Sequence, residues 1–209
     1  MVLDAYRELA DRVLEPLARP LRTVNPDALS WTALLCALGA GIAIAVGGGW
    51  ALSLAAVLVA LSALFDALDG KVAKETGRAS VRGDFLDHTL DRYADVFVLG
   101  GIALSPYCPP ALGLLAVLGV LLTSYMGTQA QALGLGREYG GILGRADRLV
   151  ILIAAIALQA AFDPSGRTLL GISPAAFTVL GWAMVVIAVL GNLTAVQRAA
   201  RIWRRLSTK

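Results

Sequence analysis

Apolar residues in this chain gather into six long stretches, which short polar, glycine-rich or proline-rich segments separate. A helix of about 20 apolar residues is long enough to cross the hydrocarbon core of a bilayer. Hydrophobic residues fill 57% of the 209 positions, and the mean hydropathy is +0.71, which excludes an ordinary soluble domain. The sequence therefore predicts an all-α integral membrane protein with six transmembrane helices. The stretches are 28–46, 50–72, 83–104, 111–133, 145–162 and 174–196.

Residues 1–24 differ from these stretches because charged residues and leucine-type residues are interleaved in them. This composition predicts an amphipathic interfacial helix along the membrane surface, not a cleavable signal peptide. The tripeptide Asn25-Pro26-Asp27 then breaks this helix and begins the next one. We expect a juxtamembrane helix over 1–24 and one six-helix domain over 25–209, with no internal repeat.

The basic residues lie on one side of the predicted membrane. With six spans, that side carries the N-terminal helix, the loops 71–82 and 137–148, the C-terminal tail, and every Lys and Arg except Arg167. By the positive-inside rule, both termini and these polar loops face the cytoplasm of a multi-pass protein in the cell membrane. The net charge of +3 is too small to indicate a nucleic-acid partner.

Aspartates between positions 66 and 91 interrupt the apolar pattern where the second stretch ends and the third begins. Acids in membrane segments are costly, so they indicate a functional site. Asp66 and Asp69 are three apart, and Asp87 and Asp91 are four apart, so each pair shares one face of a helix. Two antiparallel helices that present these faces would bring four carboxylates into one small volume.

Four carboxylates so close together cannot all stay ionised without cations. Because the candidate ligands are oxygens, a hard divalent cation is expected and zinc is disfavoured. Gly70 and Gly83 lack side chains, so a bulky ligand can approach the backbone there. The basic residues around the acids suit phosphate oxygens; they are Lys71, Lys74, Arg78 and Arg82. Together these residues indicate phosphoryl or diphosphate chemistry.

The aspartates belong to a longer pattern, formed here by Asp66, Asp69, Gly70, Ala73, Lys74, Gly83, Asp87 and Asp91. It is similar to D-x-x-D-G-x-x-A-R-x8-G-x-x-x-D-x-x-x-D, and by it the chain resembles the CDP-alcohol phosphotransferases. The one departure is Lys74 in the arginine position, which keeps the charge but lacks the two-pronged guanidinium. Residues 26–201 fit the six-helix plan of that family.

This resemblance implies a reaction. Two divalent ions, Mg²⁺ or Mn²⁺, and Lys74 hold the diphosphate of a CDP-linked lipid. The acceptor hydroxyl attacks the lipid-side phosphorus, CMP leaves, and Asp91 is the base. The implied metal ligands are Asp66, Asp69, Asp87 and Asp91, and the implied CDP-binding residues are Asp66, Asp69, Gly70, Ala73, Lys74, Arg78, Ser80 and Gly83. Members of this family form homodimers, so we expect a homodimer embedded among membrane lipids.

Basic residues that begin the fifth stretch and end the sixth indicate a second anion site, formed by Arg145, Arg148 and Arg198. Their placement resembles the acceptor-phosphate pocket of phosphatidylinositol phosphate synthases, although the lysine of the fourth helix in those enzymes is replaced near Gly127. Segments 87–95, 124–132 and 144–149 are most similar to the archaeal branch, the archaetidylinositol phosphate synthases. The resemblance therefore implies transfer from CDP-archaeol or CDP-diacylglycerol to a phosphorylated alcohol, inositol 1-phosphate.

Two alternatives stay open. The same reaction could use glycerol 3-phosphate or serine as its acceptor, and a basic pocket favours a phosphorylated acceptor over serine. A divalent-cation transporter also needs acids in the membrane, but it would place them deep within the spans and not at helix ends beside a basic loop. Metal-dependent CMP release separates the transferase from the transporter.

The remaining polar residues have structural interpretations. Helix geometry turns His88 away from the face of the motif aspartates. Cys36 and Cys108 show neither zinc spacing nor a disulfide framework, so they are small packing residues. A solvated, salt-bridged loop is expected for Glu75, Asp84 and Arg92.

Overall fold

The computed structural model of the protein describes residues 7–162 and 178–207. Within those ranges the chain is α-helical with short connections and no strand, so the predicted all-α fold is confirmed. The helices are α1 (Arg7–Ala18), α2 (Pro26–Val46), α3 (Gly49–Glu75), α4 (Val81–Ala103), α5 (Pro110–Ala132), α6 (Arg145–Phe162) and α7 (Val179–Ser207), with a 3-10 turn at Arg19–Leu21.

Capping residues determine where two of the helices that carry the site begin. The Asn25 side chain caps α2 by accepting a hydrogen bond from the Asp27 backbone N–H at 3.0 Å, and Pro26 occupies the first turn. Ser80 caps α4 in the same way by accepting from the Gly83 backbone N–H at 3.1 Å. These caps fix where α2 and α4 start, so they also fix which residues of each first turn face the neighbouring helices.

Helices α2, α3, α5 and α7 are long and apolar enough to cross a membrane. Their outer surfaces keep large apolar side chains exposed; Leu35 is 64% exposed, Leu114 59% and Val189 59%. Exposed apolar surface on this scale marks contact with lipid or with another protein. Helices α4 and α6 fall outside this set because charged residues continue along α4 as far as Asp95 and occupy the first turn of α6.

Helix α2 packs against both α3 and α4, α5 packs against α7, and α6 packs against α3 and α7. Small residues allow the closest approaches. A Cβ added at Gly101 of α4 would overlap the backbone of Gly41 in α2, so the two helices touch at a pair of glycines. Close contact of this kind is a common basis of helix association in membranes.

In the described part of the N-terminal segment, α1 ends at Ala18 and the 3-10 turn Arg19–Leu21 follows it. Helix α1 packs against α3, and Ala18 joins a small buried cluster with Leu68 and Val72 of α3. At the other end, α7 continues as the expected basic tail to Ser207. The beginning of the sixth apolar stretch and Arg167 lie outside the described residues.

Candidate active site

The four aspartates of the motif converge at one end of the helix bundle. Carboxylate oxygens of Asp66, Asp69 and Asp87 lie within 4.8 Å of one another. Asp91 joins them through Arg145, whose guanidinium nitrogens lie 2.6 Å from a carboxylate oxygen of Asp66 and 2.6 Å from one of Asp91. Asp69 and Asp91 are buried. The expected convergence is therefore present, and we call these four residues the carboxylate cluster.

Other helices complete the surroundings of the cluster. Since α2 packs against both α3 and α4, the two acidic faces meet beside the first turns of α2. The Ser30 hydroxyl of α2 donates a hydrogen bond to Asp69 Oδ2 at 2.5 Å. Helix α6 contributes Arg145 from the opposite side. The site is thus enclosed by α2, α3, α4 and α6, and not by two antiparallel helices alone.

The donor atoms of the cluster fit a hard divalent cation. They are carboxylate oxygens, which Mg²⁺ and Mn²⁺ prefer. Asp91 Oδ1 is buried and, within the described part of the chain, accepts no hydrogen bond of good geometry despite its ionic contact with Arg145. Like charges held this close require a cation, and the arginine supplies part of that charge here.

His88 does not turn away from the cluster as the helix geometry predicted. One of its ring nitrogens lies within 4.8 Å of carboxylate oxygens of both Asp87 and Asp91. Its Nε2 lies 3.1 Å from Asp84 Oδ1, one turn earlier on α4, and contacts Arg137. The contacts with Asp84 and Arg137 determine the orientation of the imidazole. The direction of the Cα–Cβ bond alone does not predict this orientation.

A cavity of about 410 Å³ opens beside the cluster, between the start of α2, the end of α3 and the start of α4. We call it the lysine cavity. A Cβ at Gly70 would meet no atom within 4 Å, so this face of α3 is open to a ligand. Seven of the eight residues expected to bind CDP line it: Asp69, Gly70, Ala73, Lys74, Arg78, Ser80 and Gly83. The eighth, Asp66, lines a small neighbouring cleft with Asp91 and Arg145.

The start of α2 also lines the lysine cavity, and the sequence analysis did not include it in the site. Arg78 donates a hydrogen bond to the Val24 carbonyl at 3.2 Å, and Arg82 lies 3.6 Å from Asp27. The N-terminal end of a helix carries a partial positive charge that favours anions. The signal was present in Asn25-Pro26-Asp27, but it indicated only a helix start.

A second cavity, of about 170 Å³, lies on the other side of the cluster. Its lining includes Arg92, Arg137, Arg145, Arg148 and Arg198, together with Asp91 and Asp95. We call it the arginine cavity. It contains all three residues that the sequence analysis assigned to a second anion site, so the structure brings them together around one space.

The three assigned arginines have different partners. Arg145 bridges the carboxylate cluster, and the buried Arg148 forms a 2.6 Å ion pair with the buried Asp95. Arg198 donates to the backbone carbonyls of Thr123, Tyr139 and Gly140 at 2.7, 3.0 and 2.8 Å. It therefore anchors the connection between α5 and α6 as well as lining the cavity.

Gly127 on α5 faces this arginine. A Cβ there would lie 3.1 Å from the Glu138 carbonyl oxygen and 3.2 Å from Arg198 Nη1. A side chain at this position would require one of these neighbours to shift by a few tenths of an ångström. In this chain Arg198 and the connection after α5 pack closely against Gly127.

The prediction for Arg92 was also wrong. This residue was expected in a solvated loop, but it lies on α4, lines the arginine cavity, and contacts Asp91 at 3.3 Å, Asp95 at 3.7 Å and the Ser124 hydroxyl. Glu75 forms the expected surface ion pair, 2.9 Å from Arg22. No sequence signal distinguished Arg92 from Glu75. Helix packing decides that the side of α4 with Arg92 faces α5.

Comparison with known proteins identifies a family whose model matches most of the chain. Residues 23–191 match the model of the CDP-alcohol phosphatidyltransferase family. The protein belongs to this family. Archaetidylinositol phosphate synthase from Methanothermobacter thermautotrophicus is 32% identical over 98% of this chain and 96% of its own length. Phosphatidylinositol phosphate synthase from Cutibacterium acnes is 32% identical over 97% of this chain and 98% of its own length.

Solved structures agree with the family. Mycobacterium tuberculosis phosphatidylinositol phosphate synthase with CDP-DAG bound has a TM-score of 0.74 and 27% identity, covering 92% of this chain and 94% of that one. The same enzyme with manganese and citrate has a TM-score of 0.74 and 27% identity, covering 91% and 88%. The CDP-alcohol phosphatidyltransferase described here is therefore a multi-pass membrane enzyme, and the predicted family is confirmed. The cation-transporter alternative is set aside.

Proposed function

We propose that the enzyme transfers an archaetidyl or phosphatidyl group from a CDP-linked lipid to the hydroxyl of inositol 1-phosphate and releases CMP. The observation that carries this proposal is the position of the carboxylate cluster between two cavities of different chemistry. Asp87 lines the lysine cavity and Asp91 lines the arginine cavity. Relatives named for inositol phosphate transfer, 32% identical over nearly the whole chain, support this acceptor.

The lysine cavity is proposed to hold the donor. Lys74 and Arg78 neutralise the diphosphate, while the open surface at Gly70, Ala73 and Gly83 admits the cytidine and ribose, with Ser80 beside them. The start of α2 adds its positive end to the same space. The manganese and the CDP-DAG bound in the Mycobacterium tuberculosis enzyme support a divalent ion and a CDP-lipid in this fold.

The proposed metal ligands are Asp66, Asp69, Asp87 and Asp91. Two bound Mg²⁺ or Mn²⁺ ions would supply electrostatic stabilisation of the negative charge that develops on the entering and leaving oxygens. The chain itself holds these carboxylates in place. Ser30 fixes Asp69 by a hydrogen bond, and Arg145 bridges Asp66 and Asp91.

The arginine cavity is proposed to hold the acceptor, with Arg145, Arg148 and Arg198 providing the positive field for its phosphate. Asp91 borders this cavity, and its carboxylate is proposed to accept the proton of the acceptor hydroxyl. The acceptor oxygen forms a bond to the lipid-side phosphorus as its proton passes to Asp91. The bond from that phosphorus to the bridging oxygen breaks, and CMP leaves with both electrons.

The membrane arrangement is proposed as follows. Helices α4 and α6 complete six spans in the domain 25–209, since the 18 residues of α6 extend about 27 Å along the axis. The segment 1–24 lies along the surface. Arginines of α6 and α7 lie at the same end as the motif, which supports a site and two termini facing the cytoplasm. A homodimer in the cell membrane completes the proposal.

The test is CMP release by purified protein given CDP-archaeol or CDP-diacylglycerol, Mg²⁺ and single acceptors. We expect release with inositol 1-phosphate, abolition by a chelator, and recovery on adding Mg²⁺ or Mn²⁺. Release only with glycerol 3-phosphate, which also carries a phosphate for the arginine cavity, would replace the acceptor. Release only with serine would remove the role proposed for that cavity, and turnover in excess chelator would overturn the metal site.

A further inference from the structure

The arginines of the arginine cavity differ in how far their charges are already neutralised. Arg145 and Arg148 each lie 2.6 Å from carboxylate oxygens of the site. Arg92 contacts Asp91 at 3.3 Å and Asp95 at 3.7 Å. Each of these guanidinium groups faces an acid that competes with an incoming anion.

The guanidinium of Arg198 is occupied by backbone carbonyls. Its Nε, Nη1 and Nη2 all donate to backbone carbonyls, at 2.8, 2.7 and 3.0 Å. A guanidinium has five N–H donors, so three contacts leave it little freedom to follow a ligand. It contributes charge to the cavity, but its geometry is fixed by the connection between α5 and α6.

Arg137 stands apart from these four. It lies in that same connection, lines the cavity, and in the described part of the chain has no carboxylate within ion-pair distance. Its contacts are with the His88 ring nitrogen and the face of the Tyr139 ring, 5.4 Å from the ring centre. The neighbouring acid, Glu138, instead pairs with Arg201 and Arg205 at 3.4 and 3.2 Å.

The position of Arg137 is also distinctive. Arg137, His88, Arg92 and Ser124 line both the arginine cavity and an open groove on the outer side of α4 and α5. These residues therefore form the boundary between the cavity and its surroundings. A charged group there meets a ligand as it enters and remains close to it once bound.

We propose that Arg137 binds the phosphate of the acceptor alcohol directly, at the mouth of the arginine cavity, and thereby selects phosphorylated acceptors. This inference rests on the proposed function. Its physical basis is that a guanidinium without an acidic partner binds a phosphate without first breaking an ion pair, and can do so with two parallel hydrogen bonds. The ion-paired arginines then contribute a positive electrostatic potential, and Arg137 forms the direct contact with the phosphate.

The experiment measures CMP release by full-length protein as a function of inositol 1-phosphate, for wild type, R137Q, R137A and R137K. Loss of a charge-assisted contact should raise the KM for the acceptor on the order of 10- to 100-fold in R137Q and R137A. The KM for the CDP-lipid should stay within about twofold, and R137K should fall between wild type and R137Q. The control is R204Q, an exposed arginine of α7 outside the cavity, which should match wild type.

Competition by inorganic phosphate supplies a second measurement. Its inhibition constant against inositol 1-phosphate should rise in R137Q by a factor similar to that of the acceptor KM. An unchanged acceptor KM in R137Q, or a fall in kcat alone, would overturn the role of Arg137 while the wild-type reaction stands. Absence of CMP release by wild type with inositol 1-phosphate would instead overturn the proposed function itself.

Discussion

The lysine cavity and the arginine cavity lie on opposite sides of one carboxylate cluster, yet they are built differently. The lysine cavity comes mainly from a continuous segment of chain, the end of α3, the start of α4 and the turn between them, with the start of α2. The arginine cavity draws side chains from α4, α5, α6, α7 and the connection before α6. In the first, lysine and glycine are open to solvent and ligand. In the second, most charges are ion-paired, and Asp91, Asp95 and Arg148 are also buried.

This contrast teaches that the two halves of the site should respond differently to substitution. Residues of the lysine cavity are held by one helix–turn–helix segment, so changing one of them should affect binding and leave the fold intact. Buried ion pairs of the arginine cavity also join helices, so changing one partner should affect stability as well. The predictions below test this division, beginning with Asp91 of the carboxylate cluster.

The largest effect is expected at Asp91. Asp91→Asn removes a proposed metal ligand and the proposed base at once, so kcat for CMP release should fall at least about 1,000-fold. The matched control is Glu75→Gln, because Glu75 pairs with Arg22 at the surface and lines neither cavity. If Asp91→Asn retained more than a tenth of wild-type turnover, Asp91 would not be the base.

The next effect concerns the lysine cavity alone. Lys74→Ala should raise the KM for the CDP-lipid about 10- to 100-fold through loss of a charged contact with the diphosphate. The KM for the acceptor and the thermal melting temperature in detergent should be unchanged, because Lys74 is exposed at the end of α3. Lys74→Arg should retain affinity. A change confined to the acceptor KM would contradict the assignment of this cavity.

The arginine cavity should show the opposite response. Arg148→Met leaves Asp95 buried without its 2.6 Å partner, and we expect a loss of about 3 kcal/mol in the free energy of unfolding. Denaturation in detergent measures this loss. The double variant Arg148→Met with Asp95→Leu removes both charges and should recover much of the stability. If the single variant melted like wild type, the pair would not join α4 to α6.

The smallest effect is expected at Ser30, which supports the cluster from α2. Ser30→Ala removes its hydrogen bond to Asp69, a contact to a charged group worth about 1.5 kcal/mol. The Mg²⁺ concentration for half-maximal CMP release should rise several-fold, with the acceptor KM unchanged. Ser30→Thr keeps the hydroxyl and serves as the control. Equal Mg²⁺ dependence in all three proteins would show that Asp69 needs no such support.

Much of this enzyme could be predicted because its strongest signals are local. Apolar stretches of membrane length predict helices regardless of their neighbours. The spacing of Asp66 and Asp69, and of Asp87 and Asp91, places each pair on one helix face by backbone geometry alone. The motif is short enough that one turn between two helices brings its residues together, and the structure places them as expected.

Only the tertiary structure decided the rest. His88 and Arg92 could not be placed from helix periodicity, because their side chains follow partners on other elements, Arg137 and Ser124. Ser30 enters the site because α2 packs against both acidic helices. A contact between residues far apart in the chain depends on helix register and on the course of a connection. Such contacts produce no periodic pattern in the sequence. Carboxylates that share one helix face, in contrast, produce the regular aspartate spacing.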